Sequence, residues 1–368
     1  MNRNNDVILS SQLAAILAIT VVGVGILTLP KDVTEKAGPD GWILVLAGSF
    51  LALLAGLVMY MVVKKFPGKT FVQLSSTILG KPLGLLLSAV FFVYLTILTA
   101  YEVRAFGEIT KQYLLFNTPL EVLIVTMLLG TAYTARSGIE PIARLSEILF
   151  PIVTLTAILI VLPIIPEVDL THFLPVFRTP VSQLIKGVPT VFFSFIGIEL
   201  ILVFAGFVDR PQNIHQTVYL SVGLITFFYI SIVVITVARF GLTETTHIIW
   251  PVLEIFKTVQ FPGTFIENIE VFIMFIWIIS IYMTTAVVYY GASLLLSEVI
   301  GSKEYNYFVL PLLPIVYFIA LVPDNVAQLG DWMGQYANYG GTFFMAVVPL
   351  LMLFLSQLRK NKEAKKSG

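Results

Sequence analysis

Glu199 lies in "GVPTVFFSFIGIELILVFAG", an acid inside an otherwise apolar stretch. A carboxyl group at that depth in hydrocarbon is expensive and is a functional residue by default. It can bind an ammonium group, pair with a cation such as Arg104, or take up a proton; its structural alternative is a polar plug facing other helices. "AYEVRAFGEITKQY" holds a second set of charges. Arg104, Glu108 and Lys111 stand four and three residues apart, so they share a helix face. That face lines an outer vestibule or protrudes into water. Glu102 points away from it and has no evident partner. Thr284 and Thr285, in "SIYMTTAVVYY", place two hydroxyls near the middle of a third apolar stretch. Such hydroxyls commonly bond back to the carbonyl four residues earlier, and this pair is expected beside a cavity. Tyr101 and Tyr289 are candidate cavity aromatics.

The other polar residues suggest no chemistry. Glu140, Arg144 and Glu147 are spaced to pair as a solvated cluster at a helix start. His172, His215 and His247 are scattered, without metal spacing. No catalytic triad, phosphate-binding loop or nucleic-acid module is present, and the formal net charge is zero. The expectation is a non-enzymatic protein with no cofactor, no metal and no nucleic-acid partner. The lack of cysteine excludes disulfides and thiol catalysis.

A backbone feature accompanies these side chains. "GVGILTLP", residues 23–30, sets Gly23 and Gly25 in one apolar run with Pro30 behind them. Glycine tolerates left-handed dihedrals and proline cannot donate within its turn. The helix is expected to unwind near Gly23–Gly25. Free N–H and C=O groups at membrane depth must be met by protein or by a polar cavity, and a ligand carrying an amine and a carboxylate would satisfy both. Close helix packing is the alternative use of such glycines. Pro189, Gly197 and Glu199 interrupt a second run in the same way.

The elements that must position these residues are membrane spans. The 368 residues are 57% hydrophobic and 12% charged, about half the usual charge of a soluble domain. Ten stretches suffice to cross a bilayer: about Ser11–Val33, Trp42–Val63, Leu83–Phe116, Leu120–Thr134, Ile142–Leu162, Gly187–Phe207, Gln216–Phe240, Glu270–Leu296, Tyr307–Val322 and Ala337–Leu358. With both termini inside, fourteen of the 22 Lys and Arg residues fall on the inner side and seven outside, with Arg104 within a span. The N-terminal run reads as a retained span rather than a signal peptide. The 163–187 connection is proline-rich and irregular. Residues 242–265 hold Ile249, Leu253, Phe256 and Val259 at helical spacing, too few to span, and read as an interfacial or re-entrant helix. Interruptions in spans one and six, five apart, match two inverted five-helix repeats that frame a substrate site. Repeat one covers about 10–163 and repeat two about 187–358, followed by a basic cytoplasmic tail, 359–368, beside inner-leaflet lipid.

"VGVGILTLP…AGPDGWILVLAGSF", "FPGKTFVQLSSTILGKPLG" and "FFSFIGIE" resemble the spore germination permeases, the B subunits of endospore germinant receptors, within the amino acid–polyamine–organocation superfamily. The resemblance covers essentially the whole chain. It implies an all-α integral membrane protein: ten transmembrane helices in a 5+5 inverted-repeat permease fold, with helices one and six broken. It carries substrate contacts onto Gly23, Val24, Gly25 and Ile26, and onto Ser194, Phe195, Ile196, Gly197 and Glu199. Relatives of this fold use paired hydroxyls on helix eight to ligate sodium; for Thr284 and Thr285 the backbone-bonded role is the preferred expectation. It further implies the inner membrane of the dormant spore, a small-molecule germinant, often an amino acid, and two partners: an A-type membrane subunit and a C-type lipoprotein. Two other readings share these features, a proton-coupled amino-acid importer acting alone and a gated conduit for water or ions. The small and apolar residues expected around the breaks suit a neutral amino acid.

Overall fold

The computed structural model describes residues 7–23, 25–257 and 269–364. The described residues form fifteen α-helices joined by short 3-10 and π segments. In chain order these are α1 (Ser10–Val21), α2 (Gly25–Ala37), α3 (Gly41–Val63), α4 (Phe71–Leu79), α5 (Lys81–Tyr113), α6 (Leu120–Arg136), α7 (Ile139–Val161), α8 (Val181–Phe192), α9 (Leu200–Phe204), α10 (Ile214–His247), α11 (Pro251–Lys257), α12 (Ile269–Ile300), α13 (Asn306–Ala320), α14 (Val326–Tyr336) and α15 (Val348–Ala364). Among the described residues six stretches are long and apolar enough to cross a membrane: Gly25–Val63, Lys81–Tyr113, Ile139–Glu167, Pro211–His247, Met274–Ile300 and Val326–Leu358; α1 and α13 are shorter apolar helices. The protein is a multi-pass, all-helical membrane protein.

The two interruptions fall where the glycines place them. The first lies between the end of α1 at Val21 and the start of α2 at Gly25; Val24 itself lies outside the described residues. Pro30 is accommodated one turn inside α2, where it withdraws the donor that would reach the Ile26 carbonyl. The second separates α8 from α9 through a 3-10 turn at Phe193–Phe195 and a turn centred on Gly197. Gly197 has φ +117°, a conformation only glycine adopts without strain.

Packing brings the interruptions face to face. α5 and α12 form the most extensive helix pair. The apolar window of α12 is 83% buried, whereas that of α7 is 6% buried and faces outward. α3 closes on α8 and α10 through Gly48 and Gly56: a Cβ there would stand 2.7 Å from Val191 and from Val218. Small residues permit such approach where lipid offers no hydrophobic drive to association. Ahead of α1, Ile8 N–H donates to the Phe207 carbonyl (2.9 Å) and Asp209 N–H to the Ile8 carbonyl (3.0 Å). This backbone pair ties the first half of helix one to the end of the α9 half of helix six.

Some sequence expectations need correction. α8 starts at Val181, six residues before the expected span, and the connection ahead of it holds two 3-10 turns, Leu162–Glu167 and Leu170–Phe173. α11 is the expected short helix, but it buries Val252, Leu253 and Ile255 while Ile249 is 51% exposed; Val259 and the Phe256 side chain lie outside the described residues. α15 continues into the basic tail as far as Ala364.

Candidate functional site

A broken helix leaves its last carbonyls and its first N–H groups without partners. In lipid each needs a substitute. For α1 the substitutes are side chains from α12 and α10. Thr284 Oγ1 lies 3.1 Å from the Ile19 carbonyl, 3.2 Å from that of Thr20 and 3.2 Å from that of Ser280 in its own helix. The Tyr229 hydroxyl is 2.8 Å from the Val21 carbonyl and also reaches the Ser194 carbonyl at the second break. It has one proton and donates to one carbonyl at a time, so a single group on α10 serves both interruptions. Ser194 Oγ donates to the Gly25 carbonyl at 3.2 Å, closing a short circuit between them. Phe195 packs edge-on against Tyr229, ring centroids 5.3 Å apart.

Two acids border this circuit. Glu199 is fully buried, with both oxygens engaged. Tyr94 OH donates to Oε1 at 2.9 Å and the Gly197 N–H donates to Oε2 at 2.8 Å. The carboxylate thus holds the turn of the second break in place. Tyr94 in turn stacks on Tyr336 (4.9 Å), whose hydroxyl donates to the Tyr94 carbonyl at 2.5 Å. Glu102 is 5% exposed, and its Oε2 has no hydrogen-bond partner among the described residues. A Cβ on Gly23 would lie 3.3 Å from that oxygen and 2.9 Å from Thr284 Oγ1. Glu102, Thr284 and Gly23 therefore meet at one point. Glu102 and Thr284 line a small space of about 10 Å³ together with Thr20, Gly25, Leu98 and Ile196, about the room one water needs.

At the α2 end of the bundle a polar vestibule of about 700 Å³ opens among Lys31, Asp32, Glu35, Trp250 and Asp331. Thr28 lines its floor, one helical turn from Gly25. Tyr336, one turn beyond the vestibule residue Met333, meets Tyr101 edge-on at 5.6 Å. The last span loosens into π-helical turns at Ala337–Gly341 and Phe343–Val347. Gly340 abuts the Tyr94 ring and Gly341 abuts Ile196.

Other residues singled out in the sequence lie elsewhere. Arg104 pairs with Glu108 (Nη2 to Oε1, 2.8 Å) and donates from Nη1 to the Ala320 carbonyl (3.1 Å). It caps α13 and does not reach Glu199. Lys111 is exposed, and neither it nor Arg104 or Glu108 lines the vestibule, because the vestibule is walled by α2 and α14. Tyr289 directs its hydroxyl to the Val309 carbonyl between α12 and α13, away from the breaks. Thr285 Oγ1 bonds back to the Ile281 carbonyl at 2.8 Å. Ile26 turns toward a separate apolar crevice. In the expected cap cluster Arg144 pairs with Glu140, while Glu147 accepts from Gln12 of α1 at 3.0 Å.

The sequence left Glu102 without a role and did not single out Tyr229 or Tyr94. Glu102 carried the same signal as Glu199, an acid in an apolar helix, but the charged face of its neighbours masked it.

Comparison with known proteins agrees with this architecture. The structure superimposes on the transporter MhsT, solved in complex with L-phenylalanine, with TM-score 0.67 and 14% identity over 92% of this chain and 89% of that one. It also matches Mhp1, a nucleobase-cation-symport-1 transporter closed around bromovinylhydantoin, with TM-score 0.65 and 12% identity over 96% and 80% of the two chains. These give the fold: the inverted-repeat permease fold with helices one and six broken. Among curated proteins the chain is 33% identical to the spore germination protein YndE of Bacillus subtilis over 97% of its length and 98% of the relative's. It is 29% identical to the spore germination protein GerLB of Bacillus cereus over 95% and 94%. A family model described as spore germination protein matches residues 7–329, and the chain belongs to the spore germination protein family.

Proposed function

We propose that this chain is the membrane subunit of a spore germinant receptor and binds a small neutral amino acid between its two broken helices. The observation that carries the reading is Glu102: a buried carboxylate with an unpartnered oxygen, facing bare backbone at Gly23 and the hydroxyl of Thr284. An ammonium group supplies what that oxygen lacks, with help from the α1 carbonyls that Thr284 and Tyr229 now occupy. The first N–H groups of α2 carry the partial positive charge that suits a carboxylate. Leu98 and Ile196 would meet a short apolar side chain. Glu199 acts indirectly, by fixing the turn at Gly197.

A space of about 10 Å³ does not hold an amino acid. Ligand binding therefore requires the breaks, Thr284 and the Tyr94–Tyr101–Tyr336 cluster to move apart, with the vestibule as the route in. A ligand that fits one arrangement and not the other shifts the equilibrium between them, and the tie from Ile8 to Phe207 and Asp209 would make α1 and α9 move together. In this reading ten spans lie in the spore inner membrane with both termini cytoplasmic. The change is passed to an A-type membrane subunit and a C-type lipoprotein. The direct test is thermal stabilisation of the purified protein in lipid nanodiscs by a panel of neutral amino acids. A shift seen with the native chain and absent in Glu102→Gln supports the site; equal shifts in both place the ligand elsewhere. A proton-coupled importer is the reading to set against this one, because an unpaired buried acid also suits proton binding. Uptake into vesicles driven by a pH gradient, without partners, would establish it in place of the receptor.

A further inference from the structure

A second crevice flanks the helix-one break and shares no lining residue with the small space at Glu102. It lies between α7, α10 and α12, has a volume of about 300 Å³, and runs from Ile165 and Val252 down to Val22 and Ile26. Its walls are aliphatic and aromatic. Ser231, on one wall, donates to the Phe227 carbonyl of its own helix. Trp277 and Ser280 also border it, on residues 7% and 2% exposed, with Trp277 Nε1 and Ser280 Oγ themselves buried. Neither has a hydrogen-bond partner among the described residues.

Water suits such a space poorly, since a buried water needs two to four polar partners. An apolar cavity of about 150 Å³ already accepts benzene, so a longer aliphatic group fits here. The crevice sits behind α7, the span whose apolar window is 6% buried and whose outer face must meet lipid. We propose that the crevice is a binding site for one acyl chain of a membrane phospholipid, which enters beside α7 and ends against Val22 and Ile26. The Trp277 ring forms part of the wall the chain packs against. The bound chain buttresses the helix-one break from the lipid side. Binding here does not depend on the germinant reading.

The test uses the full chain reconstituted into phosphatidylcholine vesicles with or without bromine at mid-chain, which quenches tryptophan on contact. The Trp277 signal is the emission of the native protein minus that of Trp277→Phe. It is expected to be lost in brominated vesicles and restored when Ala157→Phe fills the crevice. Ser231→Phe, from the α10 wall, serves if Ala157→Phe does not fold. A phospholipid carrying a diazirine on its chain should label Ile276–Ser280 in the native protein and not in the filled variant. Unquenched Trp277 in the native protein, equal quenching in the filled variant, or adducts confined to outward-facing Leu155 and Leu159 would each overturn the site.

Discussion

Glu102 and Glu199 are two buried acids beside the same pair of interruptions, and they differ in every contact. Glu199 accepts from Tyr94 and from the backbone of Gly197, so its charge is spent on holding a turn. Glu102 keeps an oxygen without a partner among the described residues, against Gly23 and Thr284. A satisfied buried carboxylate stabilises a conformation. An unsatisfied one is a cost to the protein alone and is retained when something else completes it. Burial and sequence context do not distinguish the two acids; the accounting of their oxygens does.

The sharpest way to break that comparison is to neutralise both acids. Glu102→Gln keeps the size and shape of a buried side chain that has no partner on Oε2, so the protein should accumulate normally and melt at about the same temperature. A charge-assisted hydrogen bond is worth about 1.5–3 kcal/mol, so the apparent affinity for a neutral amino acid should weaken about 10- to 150-fold. Dose–response of germination in spores carrying the variant, read beside protein abundance, checks this. Glu199→Gln should behave in the opposite way. Its amide can accept only one of the two donors, and leaving a buried donor unmet destabilises by about 1–3 kcal/mol. A lower melting temperature with a smaller change in affinity is expected. If Glu199→Gln is stable and unresponsive while Glu102→Gln responds normally, the roles are reversed and Glu199 is the ligand's partner.

The two glycines sharpen the same contrast more finely. Gly197→Ala places a Cβ at φ +117°, 3.1 Å from Thr20 and Val21, and strain of this kind is worth about 1–3 kcal/mol. Its effect should fall on stability, as with Glu199. Gly23→Ala pushes on Thr284 and Glu102, so its effect should fall on ligand response, as with Glu102. Thermal melts and dose–response on the same preparations separate them.

The fold was legible because glycine, proline and hydropathy act locally. "GVGILTLP" and "FFSFIGIE" mark their own breaks, and the ladder of apolar runs gives the helices. The site was legible only in part, because its decisive contacts join residues far apart in the chain. Tyr94 and Glu199 are 105 residues apart, Thr284 and Ile19 265 apart. No periodicity announces such pairs. Arg104 misled for the same reason: its second partner is a carbonyl on α13, and backbone acceptors leave no trace in a sequence. The π-helical turns of the last span rest on "YGG", a signal indistinguishable from ordinary small-residue packing.

Tyr229 provides the smallest effect and the most direct test of whether the two breaks act as one unit. Its hydroxyl serves the Val21 carbonyl at one interruption and the Ser194 carbonyl at the other, while its ring packs on Phe195. Tyr229→Phe keeps the ring and removes only the shared donor, so the loss should be about 1 kcal/mol, a small decrease in melting temperature. If the hydroxyl merely satisfies two carbonyls, that decrease is the whole effect. If the carbonyl it leaves on binding is the one an ammonium group takes over, freeing it in advance removes a competitor of the ligand. Tyr229→Phe should then lose stability while affinity holds or improves slightly. Combined with Glu102→Gln, that gain should disappear, because both changes act on the same ammonium. A double-mutant cycle on ligand-induced thermal shifts measures the coupling. Additive effects would mean that Tyr229 fastens the two helices together and takes no part in what lies between them.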